Sequence, residues 1–156
     1  MKLSEKNEKL DEIDLKIISI LQKDSRLSYN KIASEVGISV GTAYNRIKNL
    51  EEKGIIKGYT VLIDTAKVGY DLTAIILIQA EGKHLIEVEN EIAKMNNVIS
   101  VYDITGDFDI AVIAKFKNRD HLNQFIKNLI SLPHVKRTVT SVVLNVVKEN
   151  FVVKIL

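Results

Sequence analysis

The sequence predicts an α+β protein in two parts: an N-terminal helix-turn-helix unit, winged-helix-like in outline, and a C-terminal ferredoxin-like βαββαβ unit. Three observations carry this expectation. Between Leu27 and Tyr59 two short helical patterns meet at Gly37, which can turn left-handed, and Ser28 and Ser39 each stand where they can cap the helix that follows. From Leu72 onward, apolar strand-like runs alternate with amphipathic helical runs in the order β-α-β-β-α-β. Between the two, residues 61–70 contain no Pro and no Gly/Ser-rich run, so the connection reads as structured and not as a loose tether. The expected division is 1–60 for the helical unit, 61–70 for a connecting strand or hinge, and 71–156 for the sheet unit.

Composition narrows the function classes. With 46% hydrophobic and 27% charged residues the chain is globular in character. No apolar run approaches the roughly 20 residues that a membrane span needs. The N-terminus, MKLSEKNEKL, lacks the apolar core of a secretory signal, and the absence of cysteine removes disulfides and thiolate metal sites. A cytoplasmic, membrane-free protein is expected. The formal net charge of +2 is too small to announce a nucleic-acid binder by itself, but the whole Lys/Arg excess lies in residues 1–60.

Taken in order, residues 1–9 are polar and predict a frayed start. Asp11 is an N-cap candidate, and Leu10, Ile13, Ile17, Ile20 and Leu21 follow spacings of three and four, which makes one face of a helix from about Asp11 to Lys23. A second helix carries Ile32, Ala33 and Val36. On a third, advancing about 100° per residue gathers Val40, Ala43, Ile47 and Leu50 on one inward arc. The opposite face presents Gly41, Thr42, Asn45, Lys48, Asn49 and Glu52, with Arg46 and Lys53 on a flank. Such a face suits the DNA major groove: Asn bonds adenine with two hydrogen bonds, Thr meets a base edge or a thymine methyl, and Arg and Lys hold phosphates. The candidate DNA-binding residues are Ser39, Gly41, Thr42, Asn45, Arg46, Lys48 and Asn49. Taken alone, the same face is also what a solvated helix surface looks like.

After Lys53, Gly54 is a natural helix end, and Ile55–Val61 reads as an apolar strand with a Gly break. The run Arg46-Ile47-Lys48-Asn49-Leu50-Glu51-Glu52-Lys53-Gly54-Ile55-Ile56-Lys57-Gly58-Tyr59 resembles the R-I-x-x-L-E-x-x-G-I-I-x-G-Y signature of the Lrp/AsnC (feast/famine) family of transcriptional regulators. The match is long and fixed in spacing, which makes it far more specific than a bare helix-turn-helix pattern.

The second unit reads as strand LTAIILIQA, helix HLIEVENEIAKM, strands VISVYDIT and DIAVIAKF, helix RDHLNQFIKNLISL and strand VKRTVTSVVLNVV. Two helices on one side of a four-stranded sheet leave the other side bare. The strands are too apolar to expose both faces, so sheet-to-sheet homodimerisation is expected. The family resemblance further implies a small-molecule-sensing domain and assembly of dimers into rings, commonly octamers.

Thr105-Gly106-Asp107-Phe108-Asp109 matches that family's G-D-x-D loop, which implies an amino-acid effector at contacts between dimers. The implied effector residues are Gly106, Asp107 and Asp109, with Thr138, Thr140 and Ser141 as hydroxyl partners and Tyr102 as a lining residue. Without the resemblance, Gly106–Asp109 reads as a β-turn with solvated acids. No nucleophile-base pair or Gly-rich phosphate loop accompanies the two aspartates, so no catalytic residue and no cofactor are expected. His84, His121 and His134 lack the i, i+4 spacing of a metal-binding helical pair and read as surface histidines, so no metal is expected either.

Together these features point to a sequence-specific regulator that binds double-stranded DNA as a homodimer or larger assembly and responds to a small molecule such as an amino acid. A chromatin-like protein that wraps DNA with little sequence preference, and an enzyme carrying a regulatory helical unit, are the competing readings.

Overall fold

The computed structural model describes residues 10–156; residues 1–9, expected to be a frayed start, lie outside the described residues. Contacts divide the chain into a helical unit, running to Val61 and including Glu149–Leu156, and a sheet unit, Leu62–Lys148.

The helical unit has three helices, α1 (Glu12–Lys23), α2 (Tyr29–Val36) and α3 (Val40–Glu52). Each starts where a short polar side chain can satisfy an otherwise orphaned backbone N–H. Asp11 Oδ1 accepts from Asp14 N–H at 2.8 Å while Asp14 Oδ2 accepts from Asp11 N–H, a reciprocal capping box. Ser28 and Ser39 cap α2 and α3 through the N–H groups of Lys31 and Thr42. Gly37 ends α2 at φ 78°, and its N–H donates to Ala33 O. The three helices bury Ile17, Ile32, Ile47 and Leu50 against one another, each no more than 2% exposed. None of these helices buries enough surface to persist alone.

An ion pair fixes how α3 sits on α1. The Arg46 guanidinium reaches Asp11 Oδ2 at 2.7 Å and Asp14 Oδ1 at 2.8 Å, so both members of the capping box are also tied to the third helix. The N–H of Asp14, and then the Arg46 guanidinium, hold the Asp11 carboxyl below its ordinary range, and the same contacts raise Arg46.

Two expectations for this unit are corrected. Val40, placed on the inward arc, is 44% exposed, because it occupies the first position of α3, where the neighbouring helices do not reach. Ile55–Val61 forms no strand. Its chain turns at Gly54 (φ 68°), Ile55 and Ile56 both donate to Leu50 O, and the Tyr59 hydroxyl donates to Glu51 Oε1 at 2.8 Å. Burial, with the Glu51 carboxylate beside it, pushes the Tyr59 phenol up to about 12.

The sheet unit runs β1 (Leu72–Ala80), α4 (Leu85–Ala93), β2 (Val98–Asp103), β3 (Ile110–Phe116), α5 (Arg119–Ile130) and β4 (Val135–Val142), with short 3₁₀ turns at Ala66–Val68 and Gly82–His84. The sheet is antiparallel throughout, in the order β2-β3-β1-β4, which is the ferredoxin-like arrangement the sequence predicts. Alternation sorts the side chains. Ala74, Ile76, Ile78 and Ala80 of β1 and Ile110, Val112, Ala114 and Phe116 of β3 face α4 and α5, where Val88, Ile92, Leu122, Phe125 and Leu129 complete the core. On the opposite face Ile75 and Tyr102 are 42% and 47% exposed, and Leu77, Ile113 and Val139 are only partly covered.

The last predicted strand stops at Val142 instead of continuing to Val147, because its ladder with β1 ends at the Ala74–Val142 pair. Glu149–Leu156, expected within the sheet unit, packs with the helical one, where Gln22 Nε2 donates to Val153 O at 3.2 Å. Leu62–Tyr70, expected as a separate connector, goes with the sheet unit.

Two substitutions test this account. A Cβ on Gly37 would meet no atom within 4 Å, so Gly37→Ala should cost only the left-handed backbone penalty, about 1–2 kcal/mol, read as a lower urea midpoint. An equal stability for both chains would show that the turn relaxes out of the left-handed region. Arg46→Ala should lower stability modestly near neutral pH, since the pair lies close to the surface. Asp11 is depressed when folded, so its contribution is present above the normal carboxylate range and is lost as pH falls through the lowered value. The difference between Arg46→Ala and wild type should therefore shrink in acid; a pH-independent difference would show that Arg46 acts by packing alone.

Candidate nucleic-acid interface and effector loop

The outer face of α3 carries its polar residues into solvent: Gly41, Thr42, Asn45, Lys48 and Asn49 are all exposed. Thr42, Asn45 and Asn49 line a shallow concavity of about 360 Å³ whose floor is Arg46 and Asp14. The face is thus concave and polar, with the Arg46–Asp14 ion pair in its lining and a further cation, Lys48, exposed on the same helix. Ser39 and Thr42 share a hydroxyl contact of 2.7 Å at the helix start, so Ser39 spends its side chain on the cap and not on an outward contact.

The Arg46 side chain is 29% exposed and paired with Asp11 and Asp14, so its guanidinium is engaged in holding α3 on α1. Sequence reasoning also missed an aromatic pair flanking this face. Tyr29 of α2 meets Tyr44 of α3 edge-on at 5.3 Å, and both rings stay more than 40% exposed. Their spacing of fifteen residues across a turn carries no helical period that would have revealed it.

The acidic loop joins β2 to β3, and its two aspartates behave differently. Asp109 turns back to the sheet: its N–H donates to Ile78 O at 3.0 Å, its Oδ2 accepts from Ala80 N–H at 2.9 Å, and its carbonyl accepts from Ile104 N–H at 2.8 Å. It is a structural clasp. Asp107 is exposed and makes no hydrogen bond or ion pair among the described residues, and Gly106 beside it adopts φ 119°, in the positive region that favours glycine. Phe108 lies under the Arg137 guanidinium, 5.5 Å from the ring centroid. Arg137, the third residue of β4, was not singled out from sequence, since only the sheet order brings it to this loop.

The remaining candidates do not gather around Asp107 within one chain. Thr138 pairs with Ile78, whose carbonyl holds Asp109, so it lies close to the loop. Thr138 and Thr140 point to the helix-covered side with Ile78 and Ile76, whereas Ser141 pairs with Ile75 on the bare side. Tyr102 also faces the bare side, but on β2, at the opposite edge of the sheet from β4. Three strand spacings of about 4.8 Å separate the two edges. A second cleft, of about 450 Å³, opens elsewhere in the sheet unit among Tyr70, Asn96, Asn97, Lys117 and Asn128. No helix among the described residues is long and apolar enough to cross a membrane.

Comparison with known proteins agrees with these features. Residues 10–57 match the winged helix-turn-helix DNA-binding family, and residues 73–153 match the Lrp/AsnC ligand binding domain. An uncharacterized HTH-type transcriptional regulator of Pyrococcus abyssi is 56% identical over 142 residues, covering 91% of this chain and 97% of that protein. The HTH-type transcriptional regulator FL11 of Pyrococcus horikoshii is 39% identical over 140 residues, 90% of this chain and 93% of that protein. Among solved structures, the transcriptional regulator NMB0573 of Neisseria meningitidis, in complex with L-Met, superposes with a TM-score of 0.84 at 28% identity, over 93% of this chain and 96% of that one. LrpC of Bacillus subtilis superposes with a TM-score of 0.79 at 30% identity, over 91% and 99%. With a capped three-helix unit and a one-sided sheet unit, the chain belongs to the Lrp/AsnC family of DNA-binding transcriptional regulators and is not an enzyme.

Proposed function

We propose that this regulator reads discrete sites on double-stranded DNA through the outer face of α3, as a homodimer that assembles further, and that an amino acid adjusts the assembly. The observation that carries the reading is the concave polar face of Thr42, Asn45 and Asn49, held in place by Arg46. Asn45 and Asn49 supply donor-acceptor pairs that match adenine, Thr42 offers a hydroxyl and a methyl, and Lys48 supplies a phosphate contact. Gly41 leaves open space at the start of the helix, where no side chain holds the DNA backbone away. Ser39 acts by fixing the cap.

The dimer follows from surface that one chain leaves uncovered. The bare sheet face carries Ile75 and Tyr102, and the extended stretches on either side of the sheet unit expose Leu62 at 86%, Leu144 at 99% and Val147 at 91%. A second copy is the occupant with a matching apolar surface. Octameric assembly, and action in the cytoplasm where the DNA is, complete the proposal.

For the effector, Asp107 supplies an unengaged carboxylate for an α-ammonium group, and the Gly106 backbone permits close approach. Because Thr140, Ser141 and Tyr102 lie on other faces or edges of the same sheet, they join Asp107 only if neighbouring copies contribute them. L-methionine, held by the Neisseria relative, is the first compound to try.

Gel-shift titrations over genomic fragments test the DNA reading. Asn45→Ala and Asn49→Ala should each weaken specific binding about 5- to 150-fold, as loss of a bidentate base contact of roughly 1–3 kcal/mol requires. Lys48→Ala should weaken all sequences alike and lower the salt slope by about 1. Wild-type binding by both asparagine variants would remove α3 as the reading element. A thermal-shift screen of the standard amino acids tests the effector: at least one should raise the melting temperature of wild type and not of Asp107→Ala. A shift retained in Asp107→Ala would place the effector away from the acidic loop.

A further inference from the structure

At the end of the sheet unit where β1 leaves and β4 enters, three side chains of metal-ligating type converge from separate stretches of chain. Glu81 and His84 stand three residues apart across the Gly82–His84 3₁₀ turn, in which residues i and i+3 lie one above the other. The turn is closed by His84 N–H donating to Glu81 O at 2.8 Å. His134 arrives from the far side, after Pro133. Its imidazole stacks on that of His84 with ring centroids 3.5 Å apart and planes within 6°. One ligand atom from each of Glu81, His84 and His134 lies within 4.8 Å of the other two.

The backbone around this cluster is specified closely. His134 adopts φ 70°, a left-handed conformation that among the described residues is otherwise taken only by glycine. Its carbonyl accepts from Glu81 N–H at 3.0 Å, and the β1–β4 register slips at Gln79/Ala80 immediately before Glu81. Histidine is one of the few non-glycine residue types that enter this region, so the position marks a closely specified local backbone.

We propose that Glu81, His84 and His134 form a binding site for a divalent transition-metal ion of the zinc class, with Glu87 orienting one of its histidines. The ligand set is two imidazoles and a carboxylate, the nitrogen-oxygen mixture that suits a borderline ion such as Zn²⁺ or Co²⁺ and does not suit Mg²⁺ or Ca²⁺. The distances agree. Two ligands each about 2.1 Å from a tetrahedral zinc stand roughly 3.4 Å apart; His134 Nδ1 and Glu81 Oε2 are 3.1 Å apart, close to that separation. His84 Nδ1 lies 3.2 Å from Glu87 Oε2, which gives its ring a carboxylate partner at one nitrogen and leaves Nε2 to the ion, the carboxylate–histidine–metal pattern. The stacked rings then turn about their Cβ–Cγ bonds until their lone pairs converge; with side chains 39% and 29% exposed, neither is locked in a core. Three protein ligands leave a fourth position to water.

Titration of the chelator-stripped full chain with Zn²⁺, Co²⁺ and Mg²⁺, followed by calorimetry and by the visible absorption of Co²⁺, tests the site. One Zn²⁺ or Co²⁺ per chain is expected, with a higher melting temperature and Co²⁺ bands of four-coordinate intensity, and no response to Mg²⁺. His134→Gly keeps the left-handed backbone and should fold as wild type by circular dichroism while losing the site. Glu87→Gln, which touches no ion, should weaken binding about 10–100-fold. His121→Ala, away from the cluster, should bind as wild type. Absence of saturable Zn²⁺ binding by wild type, or unchanged binding by folded His134→Gly, would overturn the proposal and leave a stacked histidine pair with two carboxylate partners.

Discussion

A four-stranded antiparallel sheet has two faces, and this chain has two helices to cover only one of them. That constraint organises the sheet unit. Ala74, Ile76, Ile78 and Ala80 alternate along β1 onto the face that α4 and α5 seal, which forces Ile75, Leu77 and Gln79 onto the other. Everything attached to the bare face or to the sheet edges inherits the same need for cover: the exposed stretches around Leu62 and Leu144 and the exposed ring of Tyr102. The uncovered apolar face therefore stems from topology and not from any single apolar residue.

The helical unit solves a different problem. Three helices of 8 to 13 residues cannot bury much surface, so their arrangement depends on end chemistry. Asp11 and Asp14 first satisfy the start of α1 and then receive Arg46, so the same two carboxylates that begin the first helix set the seat of the third. The polar outer face of α3 is made of side chains that hold nothing else in the fold, Thr42 apart. That division of labour leaves Asn45, Lys48 and Asn49 available for a partner.

Much of this was legible from the sequence because it is periodic. The faces of α1, α3, α4 and α5 follow spacings of three and four, the caps at Asp11, Ser28 and Ser39 are short polar residues directly ahead of those patterns, and the βαββαβ order follows from the alternation of run types. What failed to show was non-periodic. Ile55–Val61 has strand composition, but a strand requires a partner, and composition does not say whether one exists within the same chain. Arg46 lies 35 and 32 residues from Asp11 and Asp14, beyond any local pattern. One miss was avoidable: Thr138 and Ser141 are three apart on a strand, and odd separations fall on opposite faces. The stacking of His84 on His134, fifty residues away, could come only from the sheet order.

The clasp at Asp109 has a consequence for the energetics of whatever meets the loop tip. Its backbone N–H and its carboxylate tie the loop to Ile78 and Ala80 at the end of β1, while its carbonyl closes the loop on Ile104. The span from Thr105 to Phe108 is thereby a short bridge pinned at both ends, and Phe108 is weighted further by Arg137. The entropy of ordering such a segment is spent when the domain folds. A molecule meeting the loop tip would find a segment already ordered by these contacts, so little further ordering cost would fall on that encounter.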